Sequence, residues 1–474
     1  MNRNNIWIHV SIAVVLVTIA AVLGQIDRWR SSLKTADDAK RPSTVEKKVD
    51  LKTDVSLVPE VLVRFKPGVS LDQVRSIAAE NNDRLSDEIE AVEGLTVIDD
   101  LDNADAETVA QQYSEMSDLV DYAEPNPLIE LDEPANSLYS KDLLYREPGA
   151  PHPNDPLFGD QWALHNLGQD GGKERADIDA LKAWLTTQGS REVVVAVLDS
   201  GVDFTHVDLR ANMWIRPEDV PPYSDDELGD FNDINGYDGT STISDPMDDN
   251  GHGTHCAGII GAEGDNGEGI AGINWKVKIM PLKFLGKGGF GSTNDAIEAI
   301  NYAIDRKKKG VNVRIISASW GSTSKSKALG DTIKAAGDAG ILFVAAAGNN
   351  GSNNDRWPHY PSNYDLPNVI SVAALDRNDN MASFSNYGAK AVHIAAPGKD
   401  IPSTWLKDSY REASGTSMAT PYVSGVAALI IANEPNISVE KLRARLLKSV
   451  DKIDSLKGKV ASGGRLNAAK ALLK

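Results

Sequence analysis

From residue 193 onward, short and nearly unbroken apolar runs alternate with longer stretches in which apolar residues recur every three or four positions. The runs 193–198, 278–282, 313–317, 342–346, 369–373 and 392–395 are rich in valine, isoleucine and alanine, which predicts strands buried on both faces. Helices are predicted over 293–308 and 326–339. Strand and helix in turn imply a doubly wound, mostly parallel α/β sheet. A separate pattern precedes it: strand 60–65, helix 71–81, strand 95–99, helix 104–116 and a last strand near 119–122. Together these make a small α+β unit with enough residues for a marginal fold of its own.

The extreme N-terminus differs from both. Arg3 is followed by an apolar run, least interrupted over 12–23, in the layout of a secretory signal. Counted from Ile6 to Gly24, the run is also just long enough for an uncleaved membrane anchor. Arg28, Arg30 and Lys34 follow closely, and by the positive-inside rule they weigh against export. The stretch 25–52 is polar, charge-mixed and aperiodic, and reads as a linker.

The chain has 474 residues, 41% of them hydrophobic and 25% charged, enough for one large domain and a smaller one. A formal net charge of −19 argues against nucleic acid as a partner and leaves acidic loops able to hold hard cations. With a single cysteine, Cys256, no intrachain disulfide can form.

Three stretches carry candidate chemistry. Ala413-Ser414-Gly415-Thr416-Ser417-Met418-Ala419-Thr420-Pro421 leads into a long apolar run, so Ser417 falls in the first turn of a buried helix. Unpaired N–H groups there would stabilise a negative oxygen, although a serine in this place also serves as an ordinary cap. The run 193–198 ends in Asp199, at the carboxyl end of a strand, where functional side chains collect in open parallel sheets. Asp249-Asn250-Gly251-His252-Gly253-Thr254-His255 puts a histidine at the start of another small-residue helix. Aspartate, histidine and serine at three element ends are the parts of a nucleophilic relay. A dinucleotide-binding fold is the competing reading, but Asp199-Ser200-Gly201-Val202-Asp203 lacks the glycine spacing and places a carboxylate where a phosphate would sit.

With these motifs in view, the chain resembles the subtilisin-type serine proteases, the subtilases. Val197-Leu198-Asp199-Ser200-Gly201, His252-Gly253-Thr254-His255 and Gly415-Thr416-Ser417-Met418-Ala419 carry the resemblance, with Ala345-Ala346-Ala347-Gly348-Asn349 as a fourth motif. It runs from about residue 154 to the C-terminus, and His255-Cys256 is similar to the thermitase-like branch. The resemblance implies a serine endopeptidase with Asp199, His252 and Ser417 as triad and Asn349 as oxyanion donor, while His255 is structural. It implies two edge segments, Gly289-Phe290-Gly291 and Ser319-Trp320-Gly321, between which an extended polypeptide substrate adds as a strand. Ala346 and Gly348 would line the first side-chain pocket, with His359 near its floor. Tyr422 departs from the histidine common after the proline of the serine motif.

The resemblance also implies structural calcium, held by Asp155 and Asp208 together with Glu263, Asn266, Glu268 and Ile270 of one loop. Asp238 and Asp245 suggest a second, weaker site. The unit over 53–130 resembles the family's inhibitory, folding-assisting propeptide, with processing inside 131–153 and a catalytic domain over 154–474. The expectation is therefore a self-processing precursor of a secreted or cell-envelope protease. The alternatives are a membrane-anchored protease of narrow specificity, an inactive binding protein of the same fold, and a small binding domain retained in the mature chain.

Overall fold

The computed structural model describes residues 59–473 apart from 103, 132–136, 139–151, 226–228 and 241–244. The expected signal or anchor, the linker and nearly all of the processing segment lie outside the described residues. Among the described residues no helix is long and apolar enough to cross a membrane.

The small unit contains β1 (Glu60–Phe65), α1 (Leu71–Glu80), β2 (Asp83–Glu88), β3 (Leu95–Asp100), α2 (Ala106–Glu115) and β4 (Val120–Pro125). Its antiparallel sheet has the order β2-β3-β1-β4. Successive side chains of a strand face opposite ways. Val61, Val63 and Phe65 pack with Val74, Val109 and Tyr113 under the two helices. Leu62, Leu95 and Val97 point the other way and join the core of the large domain. Sequence patterning missed β2, because Asp83-Arg84-Leu85-Ser86-Asp87-Glu88 has almost no apolar alternation.

After the short strands β5 (Leu128–Glu130) and β6 (Ser137–Leu138) come α3 (Ala180–Trp184) and β7 (Gly189–Asp199). Three two-residue strands follow: β8 (Ser224–Asp225), β9 (Gly229–Asp230) and β10 (Tyr237–Asp238). Next are α4 (His252–Gly261), β11 (Lys276–Lys283), β12 (Phe290–Ser292), α5 (Thr293–Lys308), β13 (Val313–Ala318), α6 (Lys327–Asp338), β14 (Leu342–Ala346) and β15 (Val369–Leu375). The chain closes with β16 (Ile394–Pro397), β17 (Ile401–Trp405), β18 (Ser409–Ala413), α7 (Thr416–Asn433), α8 (Val439–Lys448), β19 (Asp451–Lys452), β20 (Gly464–Arg465) and α9 (Ala468–Leu472).

The main sheet runs β10-β11-β7-β13-β14-β15-β16-β20-β19, and all its pairings are parallel except β19 with β20. Both faces are covered, as the unbroken apolar runs require. Val193, Val195 and Val197 pack under α4 and α7, whereas Val194, Ala196 and Leu198 pack under α5. The doubly wound fold expected from the sequence is the one observed. The strand expected at 392–395 begins two residues later, at Ile394, because the Val392 N–H turns back to the Gly388 carbonyl at 3.2 Å instead of pairing with a strand.

Candidate active site

β7 delivers Asp199 to the carboxyl edge of the sheet, fully buried. Beside it starts α4, whose first residue is His252. The two approach closely because Gly253 has no side chain: a Cβ there would lie 2.1 Å from the Gly201 carbonyl oxygen and 3.2 Å from Asp199 Oδ1. His252 Nδ1 is 2.7 Å from Asp199 Oδ1, which also accepts from the Ser200 N–H at 2.7 Å. That carboxylate makes Nδ1 the protonated ring nitrogen and turns Nε2 toward its role as acceptor.

The loop before His252 is held by Asp248, a residue that sequence reasoning passed over. Its carboxylate accepts from Ser200 Oγ at 2.9 Å, from the N–H groups of Asn250, Gly251 and Thr254 at 2.9 Å each, and from Thr254 Oγ1 at 2.6 Å. The signal was present as an aspartate four residues before a helix, a capping pattern that the catalytic motif overshadowed.

His255 is turned away from this site. Its Nε2 donates to the carbonyls of Ile401 and Arg411, each at 3.1 Å, and so pins α4 to the β17–β18 hairpin. Complete burial, followed by the nearby His252, pushes its pKa down to about 3, so the ring is neutral. Cys256 is buried as well, and burial holds its thiol well above the ordinary range.

Ser417 stands in the first turn of α7, a helix with no polar face and buried from Thr416 to Ile431. Pro421 lies four residues on. It has no N–H to give to the Ser417 carbonyl, so that oxygen turns to side chains: Ser319 Oγ at 2.8 Å and Cys256 Sγ at 3.6 Å. In return Ser417 Oγ donates to the Ser319 carbonyl at 2.9 Å. Asn349 follows β14, and its Oδ1 accepts from Thr416 N at 2.8 Å and Oγ1 at 2.9 Å. This orients the amide so that Nδ2 faces the turn at Gly415, where a Cβ would come within 3.3 Å of it.

The family model described as the subtilase family matches residues 190–466. The chain belongs to the subtilase family. It is a serine peptidase and acts on polypeptides. The thermophilic serine proteinase of Bacillus sp. (strain AK1) is 34% identical over 438 residues, covering 92% of this chain and 93% of that protein. Thermitase of Thermoactinomyces vulgaris is 37% identical over 320 residues, 68% of this chain and 99% of its own, so the likeness to the thermitase branch extends well beyond His255-Cys256. Among solved structures, the protease of Pseudoalteromonas arctica PAMC 21717 aligns at a TM-score of 0.54 and 31% identity, covering 68% of this chain and 98% of its own.

The two edge segments of this subtilase chain already hold a strand. β5 pairs antiparallel with β12, Phe290 opposite Glu130 and Gly291 opposite Ile129, and the Leu131 N–H donates to the Gly289 carbonyl at 2.9 Å. On its other side Glu130 bridges to Gly321. Trp320 anchors that second segment by donating from its indole to the Leu198 carbonyl at 2.9 Å. Beyond it, Ala346 ends β14, and the Gly348 N–H donates to Thr416 Oγ1 at 3.1 Å. His359 is buried between the two backbones: a Cβ on Gly321 would meet its Cε1 at 2.1 Å and one on Gly348 its Nε2 at 3.0 Å. Tyr422 is simply core.

The small unit also closes two helix ends. Glu124 accepts from Ser326 Oγ, Lys327 N and Ala328 N at the start of α6, and Asn126 Oδ1 accepts from Asn294 N at 2.9 Å at the start of α5. Those N–H groups have no partner within their own helices.

The residues expected to hold calcium converge. Asp155 and Asp208 are buried; Asp155 Oδ2 accepts from Asp265 N at 2.7 Å, and Asp208 accepts from Asn266 Nδ2 at 2.9 Å and Ile270 N at 3.0 Å. Asp155 Oδ1 has no hydrogen-bond partner. Burial pushes Asp155 up to about 7 and Asp208 to about 6, with the Asp208 charge raising Asp155 further. Two buried carboxylates, one with an orphaned oxygen, beside a loop of turned backbone fit a hard cation. The Glu263 carboxylate is engaged by Arg191 at 2.9 Å, and Glu268 is exposed, with its charge felt at Asp208. Asp238 is occupied in capping Thr240, at 2.8 Å to its N–H and 2.7 Å to its hydroxyl.

Proposed function

We propose that this subtilase is an endopeptidase made as a self-processing precursor, with Asp199, His252 and Ser417 as its relay. The observation that carries the reading is the 2.7 Å contact of His252 with the buried Asp199 carboxylate, on the helix whose Cys256 Sγ reaches the Ser417 carbonyl at 3.6 Å. The hydroxyl of Ser417 first leaves the Ser319 carbonyl by rotation about its Cα–Cβ bond. Its oxygen then attacks the substrate carbonyl carbon while His252 Nε2 takes the proton, and the same nitrogen returns that proton to the leaving amine. Asp199 keeps the imidazole in the working tautomer and stabilises its charged form. The oxyanion is met by Asn349 Nδ2 and the Ser417 N–H. Removal of one such donor costs on the order of 10²- to 10³-fold in kcat.

Substrate binds as an added strand between Gly289-Phe290-Gly291 and Ser319-Trp320-Gly321, the place taken by β5 in the intact chain. That occupancy, with the caps from Glu124 and Asn126, supports reading residues 53–130 as an inhibitory propeptide whose tail is cut within 131–153. Ala346, Gly348 and His359 line the first pocket. Asp155, Asp208, Asn266 once its amide turns over from the Nδ2 contact with Asp208, and the loop of Glu263, Glu268 and Ile270 would hold calcium, which ties the start of the catalytic domain to two later segments. Export is part of the proposal, supported by the leader over 1–24 and by a 36% identical relative named cell wall-associated protease in Bacillus subtilis (strain 168).

The test is expression of residues 25–474 with and without Ser417→Ala. The parent is expected to cleave itself and digest casein, whereas Ser417→Ala stays uncut and inactive. Processing that persisted in purified Ser417→Ala protein would mean that another nucleophile does the work.

A further inference from the structure

A second cluster of carboxylates, sharing no residue with the relay, lies where the small unit meets the large domain. Asp87 of β2, Asp225 of β8 and Glu298 of α5 are 1%, 3% and 3% exposed. Each brings one carboxylate oxygen to a common point, and these oxygens lie within 4.8 Å of one another. No N–H or hydroxyl donates to either oxygen of Asp87 or of Glu298, and the two carboxyl groups face each other within hydrogen-bonding reach. Around them, Tyr223 donates its hydroxyl to Asp225 at 3.4 Å, and Asn301 donates to Glu90 of the small unit.

Carboxylates buried at this separation are tolerated only if positive charge, a proton or a cation, sits between them. A proton shared between Asp87 and Glu298 serves only that pair, and the Tyr223 hydroxyl serves Asp225, whereas one cation meets all three carboxylates at once. An ion of calcium's size bonds oxygen at 2.3–2.6 Å, so two of its ligands lie up to roughly 4.6–5.2 Å apart, and the observed spacing falls inside that span. The donors are all oxygen, the preference of a hard cation.

We propose that Asp87, Asp225 and Glu298 form a divalent-cation site for calcium that bridges the small unit to the large domain. One ligand comes from the small unit and two from the large domain, so the full set exists only while the two are docked. The ion then favours the docked state by a factor of one plus its concentration over its dissociation constant. Calcium has a role here apart from the loop site at Asp155 and Asp208, and that role holds whether or not the small unit inhibits.

The test uses the uncut full chain carrying Ser417→Ala. Equilibrium dialysis against radioactive calcium is expected to count one ion fewer per chain after Asp87→Asn and after Glu298→Gln, with near-UV circular dichroism confirming that each is folded. Crystals of the Ser417→Ala protein grown with Mn²⁺ are expected to show an anomalous peak between Asp87 and Glu298. That measurement stands even if both variants fail to fold. An unchanged ion count in either folded variant, or no anomalous peak at this position, overturns the proposal and leaves a proton shared among the carboxylates.

Discussion

Replacing Glu124 by alanine removes the carboxylate that meets the first turn of α6, at 2.7 Å from Ser326 Oγ and 3.0 Å from the N–H groups of Lys327 and Ala328. An anion is favoured there both by the unpaired N–H groups and by the partial positive charge of the helix start. Hydrogen bonds to a charged group contribute about 1.5–3 kcal/mol each. The three do not add in full, because water reaches the same donors once the small unit has left, and Ser326 keeps its own cap to Leu329 N. A net loss of about 2–4 kcal/mol is expected, or roughly a 30- to 900-fold rise in the dissociation constant. The assay is inhibition of the processed enzyme by residues 55–131 supplied separately, parent against Glu124→Ala. Circular dichroism establishes that both are folded, and Asp118→Asn on the exposed surface serves as control. A folded Glu124→Ala unit that inhibited within threefold of the parent would refute the capping argument.

Exhaustive EDTA is expected to lower the Tm of the Ser417→Ala protein, and Asp208→Asn is expected to reduce that dependence; a site filled at a thousandfold excess over its Kd contributes about 4 kcal/mol. Equal Tm values for the Ser417→Ala protein in calcium and in EDTA would rule the loop site out. A pH effect is expected at His393, whose Nδ1 accepts from Ser371 N at 2.9 Å, and whose pKa is pushed down to about 4 by burial and then by the Arg443 charge. The unfolded chain binds a proton there that the folded chain refuses, so stability is lost as pH falls from about 6.5 toward 4, by about 2 kcal/mol between pH 7 and 5. In urea titrations of the Ser417→Ala background, His393→Gln should therefore gain on its parent as pH is lowered; a difference independent of pH would contradict the assignment.

The main sheet was legible because its strands are buried on both sides and so read as solid apolar runs, and α5 was placed to the residue by its period. β2 was not, because it packs one face on charged neighbours and draws its position from β3. Asp199, His252 and Ser417 stood out through the small residues around them, which the close approach of α4 to β7 requires. What patterning missed is the support: Asp248 under the His252 loop, the exchange between Ser319 and Ser417 permitted by Pro421, and the carboxylates of β2. Asp248 left a local capping signal that the His252 motif overshadowed; the others depend on residues distant in sequence, Ser319 with Ser417 and Asp87 beside Glu298, which no local period connects.

β7 lies inside the main sheet, paired with β11 on one side and β13 on the other. During translation it emerges before both. β11 begins about 80 residues after its end and β13 is complete only after about 120, a delay of roughly 4–24 s at ordinary elongation rates of about 5–20 residues per second. For that interval Val193 to Leu198 is an unpaired apolar segment, the kind most prone to aggregate, and Arg191 and Glu192 ahead of it act as charged gatekeepers. The small unit has all four strands of its sheet by Pro125, before β7 leaves the ribosome. The order of synthesis thus sets a finished surface, with Glu124 and Asn126 in place, waiting for α5 and α6 to arrive.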